Sequence, residues 1–113
     1  MRNKVAEINL EYGMPTVDMA LQNMKGALTT CRGQGYKAVI VIHGYGSTGV
    51  GGSIKTAVTR CLAENSMRGI VRTHVGGEQW VNRKREVLDI CKSLENYERR
   101  IANNSGVTVV ILR

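Results

Sequence analysis

The segment of this chain best suited to chemistry is a histidine followed by a glycine-rich loop, His43–Ser53, which reads HGYGSTGVGGS. Glycine admits positive φ and lets backbone N–H groups approach a ligand closely. When such a loop precedes a helix N-terminus, those groups form a set of donors for phosphate. We therefore expect this glycine loop to bind phosphate or a nucleic-acid backbone. A solvated connection without a ligand is the alternative.

The side chains around the loop extend this prediction. His43 has a pKa range suited to acid–base chemistry or to a charge-assisted phosphate contact. The alternative for His43 is a structural role, in which the ring is hydrogen-bonded to the loop backbone and holds it. Tyr45 is suited to stacking on a base or to shielding the loop. Gly44 and Gly46 supply backbone donors, and Ser53 and Lys55 open the following helix, where Lys55 faces an anion.

Two nucleotide-binding motifs are disfavoured by neighbouring residues. Gly44–Gly49 matches the GxGxxG pattern, but the next strand ends at Thr73-His74 without the acidic residue that binds a ribose. A phosphate-binding P-loop needs a lysine before its Ser or Thr, and Gly52 occupies that position. We therefore expect no nucleotide cofactor.

Hydrophobic periodicity predicts the elements that position this loop. Segments in which apolar and polar residues alternate, or in which β-branched residues follow one another, indicate strands. These are Val5–Leu10, Tyr36–Ile42, Ile70–His74 and Val107–Leu112. Helical spacing indicates three helices between them. The first is capped by Thr16 and ends at Gly33 and Gly35, the second is capped by Ser53, and the third buries Val87, Leu88, Cys91 and Leu94.

The order is therefore β-α-β-α-β-α-β within one domain, residues 1–113. This alternation predicts an α/β fold with a mixed, partly parallel sheet and helices packed on it. Right-handed crossovers place the loops that follow parallel strands along one edge, where ligands bind. The loop after Ile42 is thus expected at a binding edge.

The charge distribution favours a polyanionic partner. The net charge is +7 and the isoelectric point is near 9.7. No acidic residue occurs from Met19 to Ala63. Five cationic residues lie in that stretch, and we expect Arg32 and Lys37 to join Lys55 in binding nucleic acid. They are Lys25, Arg32, Lys37, Lys55 and Arg60.

Other classes of protein are disfavoured. The longest apolar runs are too short to cross a bilayer, and Met1–Leu10 lacks the apolar core of an export signal. Cys31, Cys61 and Cys91 lack the CxxC spacing of zinc or redox sites. We therefore expect a cytoplasmic protein with reduced thiols, no metal and no membrane contact.

Three segments resemble one family, the small MutS-related (Smr) domains. Val41–Gly46, followed by the glycine-rich stretch, resembles the HGxG motif of that family. Thr16–Leu21 resembles the TxxEAL start of its first helix, and Gly106–Leu112 resembles its closing strand. Gly76–Ser105 looks like a variant found in small stand-alone bacterial members.

The resemblance implies a two-layer α/β sandwich similar to the C-terminal domain of translation initiation factor three. It also implies DNA or RNA binding and, in some members, endonuclease activity that depends on an Asp-x-His pair after the first strand. This chain has Asn9-Leu10-Glu11-Tyr12-Gly13 there, and no register supplies both residues. We therefore predict nucleic-acid binding, with the ribosome as a candidate partner. An endonuclease using Glu11 and His43, or a protein-interaction adaptor that forms homo-oligomers, remains as an alternative.

Overall fold

A four-stranded mixed sheet organises the chain. The computed structural model describes residues 4–13, 15–44 and 50–113. The strands are β1 (Lys4–Asn9), β2 (Tyr36–Ile42), β3 (Val71–Gly76) and β4 (Val107–Leu112). Their spatial order is β1-β2-β4-β3, with β1 parallel to β2 and β4 antiparallel to both β2 and β3. β1, β2 and β3 therefore all end where β4 begins, and we call this end of the sheet the site edge.

The helices alternate with the strands. They are α1 (Val17–Gly33), α2 (Val50–Leu62), α3 (Trp80–Ile90) and the short α4 (Glu98–Ile101). The predicted cap of α1 is confirmed, since the Thr16 hydroxyl accepts a hydrogen bond from the Met19 N–H at 3.2 Å. A 3₁₀ segment, Lys92–Tyr97, joins α3 to α4.

The sheet is buried on both faces, because adjacent residues of β2 pack in different cores. Val39 and Val41 pack with α1 and α2. Ala38 and Ile40 pack with α3 and the segment after it. The predicted α/β class, element order and mixed sheet are confirmed. The structure adds a helical layer on the second face, beyond the two layers that the sequence predicts.

The Glu98 carboxylate links α3 to α4. Trp80 is fully buried, and its indole N–H donates to Glu98 Oε2 at 2.9 Å. Lys84 Nζ donates to the same oxygen at 2.9 Å. Gly77 lets the chain enter α3, because a Cβ there would collide with the backbone carbonyls of Asn104 and Ile101. This close approach holds the start of α3 against the turn that precedes β4.

Two predicted helix boundaries are wrong. α2 begins at Val50, three residues before Ser53, so Ser53 is an exposed residue within the helix and not its cap. Glycine disfavours helix, but tertiary context overrides that preference here. The third helix ends at Ile90, because Cys91 adopts φ −139° and ψ 88°. Cys91 and Leu94 are buried as expected, although they follow the helix.

Candidate nucleic-acid interface

His43 lies at the site edge, fully buried, with both ring nitrogens bonded inside the protein. Nδ1 is 3.0 Å from the carbonyl oxygen of Gly44 and must donate to it, since a carbonyl oxygen only accepts. Nε2 then accepts from the Thr108 hydroxyl at 2.9 Å. The His43 and Gly44 N–H groups both donate to the Gly106 carbonyl. His43 therefore fastens the start of the glycine loop to β4.

The imidazole of His43 is held neutral. Burial lowers its pKa, and the positive charge of Lys55 acts in the same direction. The Gly44 carbonyl and the carboxylates of Glu78 and Glu11 oppose this shift. Of the two roles that the sequence leaves open, the geometry favours a positioning role over direct proton transfer to a ligand.

The lowered pKa of His43 predicts that the protein loses stability in mild acid. The unfolded chain binds a proton near pH 6.5, while the folded state resists protonation to lower pH, so stability falls as pH decreases. We expect this residue to contribute a slope of up to about 1.4 kcal/mol per pH unit below that point. Denaturant unfolding between pH 7.5 and 5.5 measures it.

The matched variants for this measurement are His43→Gln and His74→Gln. Burial also lowers the pKa of His74, so each variant should flatten the pH dependence in part. A free energy of unfolding that does not change between pH 7.5 and 5.5 in the unmodified protein would contradict the assignment.

Glu11 lies directly against Gly44. Gly44 has φ +84°, and a Cβ at this position would collide with the Glu11 carboxylate. The Glu11 N–H donates to Asn9 Oδ1 at 2.8 Å, and this contact fixes the turn after β1. The side chain of Glu11 is exposed. The structure thus brings Glu11, His43 and Gly44 together at the site edge.

Lys55 joins the same edge through an ion pair. Its Nζ is 2.8 Å from Glu78 Oε2, and both side chains are partly exposed. The sequence predicts Lys55 in the first turn of its helix. Because α2 begins at Val50, Lys55 lies in the second turn. Sequence reasoning missed both Glu78 and Thr108. Gly76-Gly77 before Glu78 was an available signal, since this glycine pair lies at the end of β3, as the glycine-rich segment lies at the end of β2.

Two of the predicted binding residues, Arg32 and Lys37, are not brought to this edge. Lys37 is the second residue of β2, six residues before His43 and therefore about 20 Å away along the strand. Arg32 lies in the last turn of α1, at the same far end of the sheet. The predicted cluster of Arg32, Lys37 and Lys55 is therefore divided between two ends of the domain. Tyr45 and Gly46 lie outside the described residues.

The described ranges carry neither a metal site nor a membrane-spanning helix. No group of three or more His, Cys, Asp or Glu side chains is placed to hold a metal ion there. No helix in those ranges is long and apolar enough to span a bilayer. The three cysteines are unpaired thiols, and burial raises the pKa of each.

The fold and the site edge define a class of small mixed α/β domains with a histidine-glycine turn after a central strand. A model of the Smr domain matches residues 12–113, and the chain belongs to that family. Domains of this family generally bind or cleave nucleic acid. The structure is similar to the Smr domain of Thermus thermophilus MutS2, with a TM-score of 0.57 and 22% sequence identity. The match covers 97% of this chain and 98% of the other. Comparison with curated proteins gave no match.

Proposed function

We propose that this domain binds the phosphate backbone of DNA or RNA at the site edge and along the exposed side of α2. The observation that carries the proposal is a pair of cations on α2, Lys55 and Arg60, beside the His43-Gly44 turn. Lys55 and Arg60 bound a shallow depression of about 330 Å³, which Thr56 and Thr59 also line. Cations and hydroxyls are the side chains that most often contact phosphate oxygens.

Lys25 adds a third cation to this surface. It is exposed on α1, and its positive charge acts on the Cys61 thiol of the neighbouring α2. Lys25, Lys55 and Arg60 all belong to the acid-free stretch of the sequence. We call these three residues the basic strip. The expectation that backbone N–H groups of the glycine loop also contact phosphate stays part of this proposal, although residues 45–49 lie outside the described residues.

Tyr12 supports a strand with unpaired bases as the ligand. It follows Glu11 at the end of β1, and 88% of its surface is exposed. An unpaired base stacks favourably on an exposed aromatic ring of this kind. An RNA-rich particle in the cytoplasm, such as the ribosome, would present ligands of this kind. A second copy of the chain remains a further candidate partner.

The salt dependence of binding should follow the number of phosphate contacts that the basic strip makes. Three phosphate contacts predict a slope of log K against log salt of about −2.7 for duplex DNA and about −2.1 for a single strand. Fluorescence anisotropy with labelled oligonucleotides at 50–300 mM salt measures it. Removal of one contact in Lys55→Ala or Arg60→Ala should make the duplex slope shallower by about 0.9.

Lys92→Ala is the matched control for these variants. Lys92 is also exposed, but it lies in the 3₁₀ segment packed on the opposite face of the sheet. Its removal should leave the slope unchanged. If all three variants behave alike, or if affinity does not change with salt, the proposed interface is wrong.

A further inference from the structure

A polar cavity of about 280 Å³ lies next to the His43–Thr108 contact, at the edge of the sheet formed by β3, between α2 and α3. Its lining side chains include Thr59, Thr73, His74, Glu78, Arg83 and Thr108. Thr108 belongs to both places, because its hydroxyl bonds His43 at 2.9 Å and also lines the cavity. The cavity therefore opens beside the basic strip, with Thr59 of α2 as the shared wall.

Arg83 is held as a fixed, flat wall of this cavity. Its guanidinium donates to the His74 carbonyl oxygen at 3.0 Å and to the Thr73 hydroxyl at 3.2 Å. A third contact, 2.5 Å long, joins its Nε to Glu86. Three anchored N–H groups leave the guanidinium plane little freedom, and the Glu86 carboxylate balances its charge.

His74 is the second flat group, and it is half-buried on β3. Burial lowers its pKa, and the charge of Arg83 lowers it further. A neutral imidazole offers one hydrogen-bond donor and one acceptor. Two planar groups and several hydroxyls thus line a space of about 280 Å³, slightly smaller than the roughly 300–1,000 Å³ typical of small-ligand sites.

The charges of the cavity favour a neutral ligand over an anion. The lining carries one cationic and one anionic side chain, Arg83 and Glu78, and each is already paired, with Glu86 and with Lys55. A nucleobase meets these conditions, because it is flat, uncharged and bordered by donors and acceptors. Unpaired bases stack on imidazole rings and guanidinium planes in proteins that bind single strands.

We infer that this cavity receives one unstacked nucleobase from a strand whose phosphates contact the basic strip. The inference rests on the proposed function and adds a base-binding pocket to it. The Glu78 carboxylate only accepts hydrogen bonds, so it favours bases with an exocyclic amine over uracil or thymine.

The test uses a single-stranded oligonucleotide with one central 2-aminopurine, whose fluorescence rises when the base leaves its stack. Titration with the protein should raise the fluorescence at least twofold. Thr59→Phe, which fills the cavity from the helix surface, should remove this rise and weaken affinity about fivefold to tenfold. His74→Ala should have the same effect. The salt slope should stay unchanged in His74→Ala, because His74 lies outside the basic strip and outside the depression that Lys55 and Arg60 bound.

Thr29→Phe is the matched control. Thr29 is an exposed residue of α1 whose hydroxyl donates to the Lys25 carbonyl oxygen, as the Thr59 hydroxyl donates to that of Lys55. Thr29→Phe should bind the oligonucleotide with the affinity of the unmodified protein and should give the same rise in fluorescence. An abasic site in place of 2-aminopurine should weaken binding to the unmodified protein and not to Thr59→Phe.

These measurements distinguish failure of the base pocket from failure of the proposed phosphate interface. Salt-dependent binding without a fluorescence rise would overturn the base pocket and leave the proposed interface standing. A rise that persists in folded Thr59→Phe and His74→Ala proteins would also overturn the pocket. An absence of salt-dependent binding to any strand would overturn both. Thermal denaturation of each variant establishes that it is folded at the temperature of the titration.

Discussion

Gly44→Ala should weaken nucleic-acid binding at least tenfold and lower the free energy of unfolding by about 1–2 kcal/mol. The stability loss follows from φ +84°, a conformation that strains any residue with a Cβ. The binding loss follows from position, because relief of this strain shifts the His43-Gly44 turn, which belongs to the site edge. The Glu11 carboxylate beside the new methyl group ends a flexible, exposed side chain and can move away. Anisotropy titrations beside chemical denaturation measure the two effects.

Gly35→Ala separates these effects. Gly35 has φ +86°, but a Cβ there would meet nothing within 4 Å, and the residue lies at the far end of the sheet. Its stability loss should match that of Gly44→Ala, while its affinity should not change. In the double variant Gly44→Ala/Glu11→Ala the strain at φ +84° remains, so loss of the carboxylate should recover only about twofold to fivefold in affinity, through the lost repulsive charge. Equal affinities of Gly44→Ala and Gly35→Ala would contradict the assigned site.

The sequence predicts the sheet well because the central strands are chemically distinct. β2 and β4 have the predicted bounds, since continuous apolar β-branched runs are typical of strands covered on both faces. The start of α2 was missed because its first turn contains Gly51 and Gly52, which local propensity assigns to a loop. The end of α3 was missed because Cys91 and Leu94 keep helical spacing beyond the point where the backbone turns.

The site is less predictable, because proximity along the chain differs from proximity in space. The run without acidic residues contains Lys37 and Lys55, yet β2 carries the chain from one end of the sheet to the other between them. Conversely, the His43–Thr108 hydrogen bond joins residues 65 positions apart, and the Lys55–Glu78 pair spans 23. These partners follow from the pairing of β4 with β2 and β3, which periodicity alone does not specify.

Purified protein should show weak or undetectable cleavage of structured RNA, duplex DNA and branched DNA, with or without Mg²⁺. An efficient nuclease needs a group that accepts a proton from the nucleophile and a second that donates one to the leaving oxygen. His43 is fully buried, and both of its nitrogens are already bonded within the protein. Glu11 is exposed at the site edge, but the sequence around it lacks the Asp-x-His pair.

The binding hypothesis and the endonuclease hypothesis predict different results when Glu11 or His43 is replaced. In a domain that only binds, removal of a carboxylate beside the phosphate site should tighten binding about twofold to fivefold, because a repulsive charge is lost. His43→Ala should lower the free energy of unfolding by about 1–3 kcal/mol, since it leaves buried hydrogen-bonding groups without a partner. Thr108→Val keeps the imidazole and removes one of its bonds, so it serves as the structural control. Strong cleavage that disappears in both Glu11→Gln and His43→Ala, while each variant stays folded and still binds, would establish an endonuclease in place of a binding module.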